Sequence, residues 1–162
     1  MTNRRTILLS GAALLATAIP AFARKDGAFE ITKTPEEWKK ILTPYQYQVL
    51  REEGTERAYT SPLNDNKKAG VYHCAGCDLD LYSSETKYDS RTGWPSFWAP
   101  IADSRIGTST DKKLFYTRTE VHCARCGGHL GHIFDDGPKP TGERHCLNGL
   151  ALTFKASENT NG

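Results

Sequence analysis

Residues 71–83 read VYHCAGCDLDLYS, and their pattern settles the class of fold. Two short runs, VYHC and DLDLYS, are of the type that favours strands, and the second alternates polar and apolar side chains. Between them lies a knuckle, Cys74-Ala75-Gly76-Cys77. From Val71 onward helical periodicity is gone. β-type composition returns in RIGTST (105–110), KLFYTRTEVHC (113–123) and LNGLALTFK (147–155), with Gly and Pro at the joins. A second knuckle, Cys123-Ala124-Arg125-Cys126, closes one of these runs. The reading is a mainly β, antiparallel domain.

Upstream of Val71 the signals change. Thr34-Pro35-Glu36-Glu37 supplies a Thr N-cap, Pro at the first helical position and Glu at the third, which predicts a short helix over 35–42. Thr43-Pro44-Tyr45-Gln46 repeats the signal, so a second helix runs to Glu53, with Gly54 expected as its left-handed stop. Tyr45 and Val49, one turn apart, are expected to pack on the sheet. Residues 55–70 read as a polar loop and ASENTNG (156–162) as a frayed tail.

The first residues read as a targeting segment. Arg4-Arg5 precedes the apolar run ILLSGAALLATAI, then Pro20 and Ala21-Phe22-Ala23: a basic start, an apolar middle and a small-residue cleavage site. The run is shorter than the ~20 residues of a membrane span. Residues 1–23 are therefore expected to be a signal peptide, of the twin-arginine type. They leave 24–162 as a single domain exported to a bacterial periplasm, with no membrane span. The whole chain has 162 residues and a formal net charge of +2. Loss of Arg4 and Arg5 with the leader brings that charge to zero, so no net basic field remains to favour nucleic acid.

Four of the five cysteines form the two C-x-x-C knuckles. In an exported chain paired cysteines usually mean disulfides. Two knuckles 45 residues apart instead suit one zinc ion held by Cys74, Cys77, Cys123 and Cys126, a closed tetrahedral site that stabilises rather than catalyses. Folding before twin-arginine export would let the metal load in the cytosol. A redox dithiol is the alternative for either pair.

The fifth cysteine falls in residues 129–149, HLGHIFDDGPKPTGERHCLNG. His129 and His132 bracket Leu130-Gly131, an acidic turn at Asp135-Asp136-Gly137-Pro138 follows, and Arg144-His145-Cys146 comes next. A lone thiol near His and Arg is a candidate nucleophile, because the thiolate is the reactive form and cations favour it. The competing reading is a small buried hydrophobe. With four cysteines enough for the metal, both histidines are spare.

The runs CAGCDLDLYSSETKYDSRTGWPSFW (74–98), CARCGGHLGHIFDDGP (123–138) and RHCLNGLALTF (144–154) resemble the B-type methionine-R-sulfoxide reductase family, across about 35–155. The resemblance implies two antiparallel sheets in a half-open barrel, with two short N-terminal helices and a structural zinc. It implies that Cys146 attacks the sulfoxide sulfur, that His129 and His132 protonate the departing oxygen, and that Trp94 of Gly93-Trp94-Pro95-Ser96-Phe97 walls the substrate methyl. Arg144 and Asn148 lie two residues either side of Cys146. On a strand they would share its face and serve substrate binding. The substrate is then methionine sulfoxide in oxidised proteins. No nicotinamide or flavin fingerprint is present, so electrons arrive through thiols. Many relatives carry a resolving cysteine just before the Gly of GWPSF. Here that residue is Thr92, with Arg91 where glycine is more usual, so a thioredoxin-like thiol donor is expected to act on Cys146 directly. A non-catalytic zinc-ribbon module would account for the knuckles but not for Cys146, Arg144 and the histidines. A thioredoxin-like exchanger would need a βαβ pattern that is absent.

Overall fold

A computed structural model describes residues 29–112 and 117–157. The leader, the start of the lead-in, Lys113 to Tyr116 of the expected strand and most of the tail lie outside the described residues. None of the described helices is long and apolar enough to cross a membrane.

Two helices open the described chain, α1 (Pro35–Ile41) and α2 (Pro44–Glu52). Both begin with the expected reciprocal caps. Thr34 Oγ1 accepts from Glu37 N while Glu37 accepts from Thr34 N, and Thr43 and Gln46 repeat the pair. Two expectations fail. The left-handed residue after α2 is Glu53 (φ 55°), and Gly54 instead closes its N–H on the Gln48 carbonyl, 2.9 Å away. A Cβ at Gly54 would itself sit 2.9 Å from that oxygen, so the glycine serves close approach. Tyr45 is 70% exposed. The buried stripe of α2 is centred between Val49 and Leu50, and at about 100° per residue Tyr45 lies about 90° away from it.

Nine strands follow among the described residues: β1 (Gly70–Cys74), β2 (Asp80–Ser83), β3 (Lys87–Tyr88), β4 (Ser96–Phe97), β5 (Ile106–Asp111), β6 (Arg118–Cys123), β7 (His129–Phe134), β8 (Arg144–Leu147) and β9 (Leu152–Ala156). They form two antiparallel sheets, ordered β2-β1-β9 and β3-β4-β8-β7-β6-β5. Among the described residues both sheets keep unpaired edges, so the barrel is half open. The sheets meet over aromatic side chains. Tyr72 of β1 and Tyr82 of β2 stack against Phe97 of β4, with ring centroids 5.0 and 4.7 Å apart. Tyr82 also reaches His145 of β8, whose ring lies between the Tyr82 hydroxyl (3.0 Å) and the Glu143 carboxylate (3.1 Å). α1 adds Trp38, its capping residue Leu42 follows, and α2 adds Val49 and Leu50 to the same core. The run 147–155 is not one strand: a 3-10 turn at Gly149–Ala151 separates β8 from β9.

Candidate active site

Strand β8 is central to the six-stranded sheet, and Cys146 is its half-buried third residue. It faces Ser96 on one side and His132 on the other. Directly opposed residues put their side chains on one face, with Cβ atoms about 5 Å apart. The row continues from His132 to Glu120 and from Glu120 to Ser109. Alternation along β8 sends His145 and Leu147 to the core and leaves Arg144 on the face of Cys146.

His129 would not belong to this row on a regular strand, because residues three apart point to opposite faces. The register between β6 and β7 slips at this point. His122 faces His129 while Val121 faces Gly131, so Leu130 is an extra residue and the strand carries a β-bulge. The bulge re-aims His129, and the two imidazole centroids lie 5.4 Å apart. Gly131 is required beside it, since a Cβ there would fall 2.1 Å from the Cys146 carbonyl oxygen.

Each ring is fixed by a carboxylate. His129 is 2% exposed and its Nδ1 hydrogen-bonds Glu120 Oε1 at 2.7 Å. Glu120, itself buried, also accepts from the Ser109 hydroxyl. His132 Nε2 hydrogen-bonds Asp111 Oδ2 at 2.8 Å, and Arg118 donates to the same oxygen at 2.6 Å. Donation from these nitrogens leaves His129 Nε2, which is buried with no partner among the described residues, as the lone-pair nitrogen of its ring. Burial holds His132 below the ordinary histidine range, against the opposing pull of Asp111. A neutral imidazole takes up a proton on its free nitrogen and then donates it, and a carboxylate behind the ring stabilises the cation. Glu120, Asp111 and Arg118 were not singled out from the sequence. Only strand register brings them to the histidines, and a Glu in an otherwise ordinary strand carries no local signal.

Arg144 is 9% exposed and binds Asp136 through two bonds of 2.8 Å. Its guanidinium carbon lies 4.3 Å from the centre of the Phe134 ring. The acidic segment 135–138 is thus a turn that grips Arg144. Pairing with Asp136 raises Arg144 above its ordinary value, and Cys146 lies close enough to add to the effect. Asn148 is placed differently from the expectation. It lies beyond the end of β8, 3% exposed, with Oδ1 accepting from Glu56 N (2.9 Å) and Nδ2 donating to the Leu130 carbonyl (3.1 Å). Trp94 is half-buried, and its indole N–H donates to the Glu56 carbonyl at 3.1 Å. Thr92 Oγ1 lies 3.8 Å from Cys146 Sγ and 2.8 Å from Ser90 Oγ, which reaches Ser96 Oγ at 2.7 Å. Arg91, where the resemblance leads one to expect glycine, has φ of 60°. Tyr88, opposite Ser96, completes the row with a buried hydroxyl that has no partner among the described residues.

The knuckle cysteines gather apart from Cys146. Cys74 ends β1 and Cys123 ends β6, so the cluster ties the two sheets together. In each knuckle the fifth residue is left-handed, Asp78 (φ 60°) and Gly127 (φ 66°), and its N–H returns to the carbonyl of the first cysteine. The four sulfurs lie within 4.8 Å of one another, with Cys74–Cys126 at 3.7 Å and Cys77–Cys123 at 3.5 Å. A tetrahedral metal with bonds of ~2.3 Å needs sulfurs roughly 3.8 Å apart, so the donor set fits such an ion. Thiols this close oppose one another's ionisation: hydrogen bonding to Cys123, Cys126 and Cys77 pushes Cys74 well above the ordinary thiol range. A divalent cation removes that conflict by taking the sulfurs as thiolates.

These features define a β protein with a four-cysteine cluster able to hold a metal, whose one separate cysteine sits in a row of histidines and carboxylates: the site of a thiol-based enzyme. A family profile described as SelR domain matches residues 42–156. A peptide methionine sulfoxide reductase MsrB of Methanosarcina barkeri is 53% identical over 128 residues, covering 79% of this chain and 90% of its own. One from Pseudomonas putida is 55% identical over 126 residues, covering 78% and 95%. A chloroplastic peptide methionine sulfoxide reductase B1 of Arabidopsis thaliana is 53% identical over 125 residues, covering 76% and 61%. The chain belongs to the SelR family, the family of the MsrB proteins.

Proposed function

We propose that this protein reduces the R diastereomer of methionine sulfoxide in oxidised proteins. The observation that carries the reading is the row itself: Cys146 stands opposite His132, and a bulge brings His129 beside it. Cys146 attacks the sulfoxide sulfur as thiolate. His129 or His132 delivers the proton that turns the departing oxide into a hydroxyl. The attack forms a bond between the two sulfurs as the S–O bond breaks; hydroxide then adds to the Cys146 sulfur, the S–S bond breaks and the thioether departs. The thiolate, the sulfoxide and one proton thus become a sulfenic acid on Cys146 and a thioether, with the sulfoxide sulfur reduced and the cysteine oxidised. Trp94 offers an apolar wall to the substrate methyl. Arg144 offers a fixed positive charge beside the nucleophile, and Asn148 acts through the backbone it holds.

The sulfenic acid then meets a thiol of a thioredoxin-like donor. Water leaves as a mixed disulfide forms, and the donor's second thiol releases Cys146. The four knuckle cysteines hold one structural zinc, which stabilises the joined sheets and takes no part in turnover. Residues 1–23 are removed after twin-arginine export, so the mature chain starts at Arg24 in the periplasm. N-terminal sequencing of exported protein tests that step. The main test is turnover of each sulfoxide diastereomer by the mature chain with a small dithiol, beside Cys146→Ser. Reduction of the R form alone, abolished by the substitution, is expected. Equal activity of the serine variant would refute the assignment.

A further inference from the structure

We propose that Glu56 is a positioning residue that locks the Trp94 wall, the turn after Cys146 and the bulged histidine strand into one unit. This rests on the reductase reading above. Glu56 lies in the loop after α2, 92 residues from Asn148 in sequence, and is 8% exposed. Four bonds leave it in three directions. Its carbonyl accepts the Trp94 indole N–H (3.1 Å). Its N–H donates to Asn148 Oδ1 (2.9 Å), and Asn148 in turn donates its side-chain amide and its N–H to the carbonyl of Leu130, the extra residue of the bulge. Its carboxylate accepts from Gly149 N (2.5 Å) and Leu150 N (3.0 Å), the first residues of the turn that leads out of β8.

The chemistry of that carboxylate is specific. Two converging amide donors need two acceptor oxygens, and a buried anion held by them is costly to replace by anything that carries an N–H. The loop also has no slack at this point. A Cβ on Gly149 would meet Ser61 Oγ at 1.9 Å, so the backbone of the turn lies flush against the loop. None of these groups reaches Cys146 Sγ. Glu56 therefore acts through Trp94 and Asn148, and its loss moves the wall relative to a nucleophile that stays intact.

Glu56→Gln presents one oxygen and one N–H donor to the two amides, so one bond becomes a repulsion. The mature variant is compared with the unsubstituted chain in three measurements: zinc content, KM and kcat for the R sulfoxide, and hydrogen exchange of the Trp94 indole N–H, assigned by its absence in Trp94→Phe. Retained zinc, faster indole exchange and a KM about tenfold higher with little change in kcat support the proposal. Indole exchange and KM equal to those of the unsubstituted chain overturn it. So does a loss of kcat and zinc together with KM unchanged, which is the signature of a merely structural residue. If Glu56→Gln does not fold, Glu56→Asp keeps the charge but reaches only one amide, and the same three readings decide. Should the unsubstituted chain reduce no sulfoxide, the reductase reading fails, while the indole exchange still tests the clamp.

Discussion

Thr92→Cys is expected to convert this chain into one that closes its own disulfide on turnover. Thr92 Oγ1 already lies 3.8 Å from Cys146 Sγ, and a disulfide needs about 2.05 Å, a closing of roughly 1.8 Å that small rotations about two χ1 bonds supply. The reduced variant loses the hydroxyl bond to Ser90, a cost of about 1 kcal/mol. The oxidised variant gains much more. The two positions are 54 residues apart, and chain entropy for a loop of that length gives about 4 kcal/mol. At a urea slope of about 2 kcal/mol per molar, the oxidised form should unfold near 2 M more urea than the reduced form. The assay uses one equivalent of sulfoxide without reductant, followed by sulfenic-acid trapping, peptide mapping and urea unfolding. The unsubstituted chain should yield trapped sulfenic acid at Cys146 with zinc retained. The variant should yield none, and instead a disulfide between positions 92 and 146. Persistence of the sulfenic acid in a folded, zinc-loaded variant would refute the adjacency of the two side chains. A disulfide from Cys146 to a knuckle cysteine in the unsubstituted chain would refute the proposed external donor.

Other outcomes follow from the same geometry. The mature protein should carry about one equivalent of zinc, and a strong chelator should lower its unfolding temperature, because the four thiolates join the two sheets; metal-free protein with both pairs oxidised would count against this. Glu120→Gln should lower kcat by about 10- to 100-fold with zinc retained, since it removes the carboxylate behind His129; unchanged kcat would separate Glu120 from the chemistry. Stability should fall as the pH drops from about 7 towards 5.5. Burial holds His145 and His132 below the ordinary value near 6.5, so the unfolded chain binds more protons in that window, and the contribution is complete only above it. A urea midpoint that rises on acidification over this range would contradict the buried neutral rings.

The parts of the fold legible in the sequence are those whose partners are close in the chain. Thr34 and Thr43 find their capping partners three residues on, and each knuckle closes over five residues, so composition and spacing suffice. The failures depend on packing, some of it between residues far apart in the chain. Tyr45 has the right spacing from Val49, yet the direction of burial was set by Leu50 and by what α1 offers, Trp38 and Leu42. Gly54 reads as a left-handed stop because glycine adopts that conformation freely, but the pressure at this position is the Gln48 carbonyl. Asn148 reads as part of the strand of Cys146 because nothing in LNGLALTFK marks where pairing ends; Glu56, from the other end of the domain, receives the backbone there.

The histidines show where the limit lies. On sequence spacing alone His129 and His132 cannot share a face of a strand, and reading them as a pair drew on the resemblance rather than on periodicity. The physical reason for the pairing is the extra residue at Leu130, visible only when β7 is laid against β6. The same carbonyl of Leu130 accepts two bonds from Asn148, which Glu56 holds from the opposite side. A bulge is weakly specified by its own residues, since a slip of one position restores an ordinary ladder. Here a slip would push a side chain into the space of Gly131, where a Cβ meets the Cys146 backbone, and would strand the Asn148 amide. The register that aligns His129 with His132 is thus enforced by the strand that carries Cys146 and by the turn that follows it. Cys146 and the two histidines are kept in step by a long-range fit that no single motif encodes.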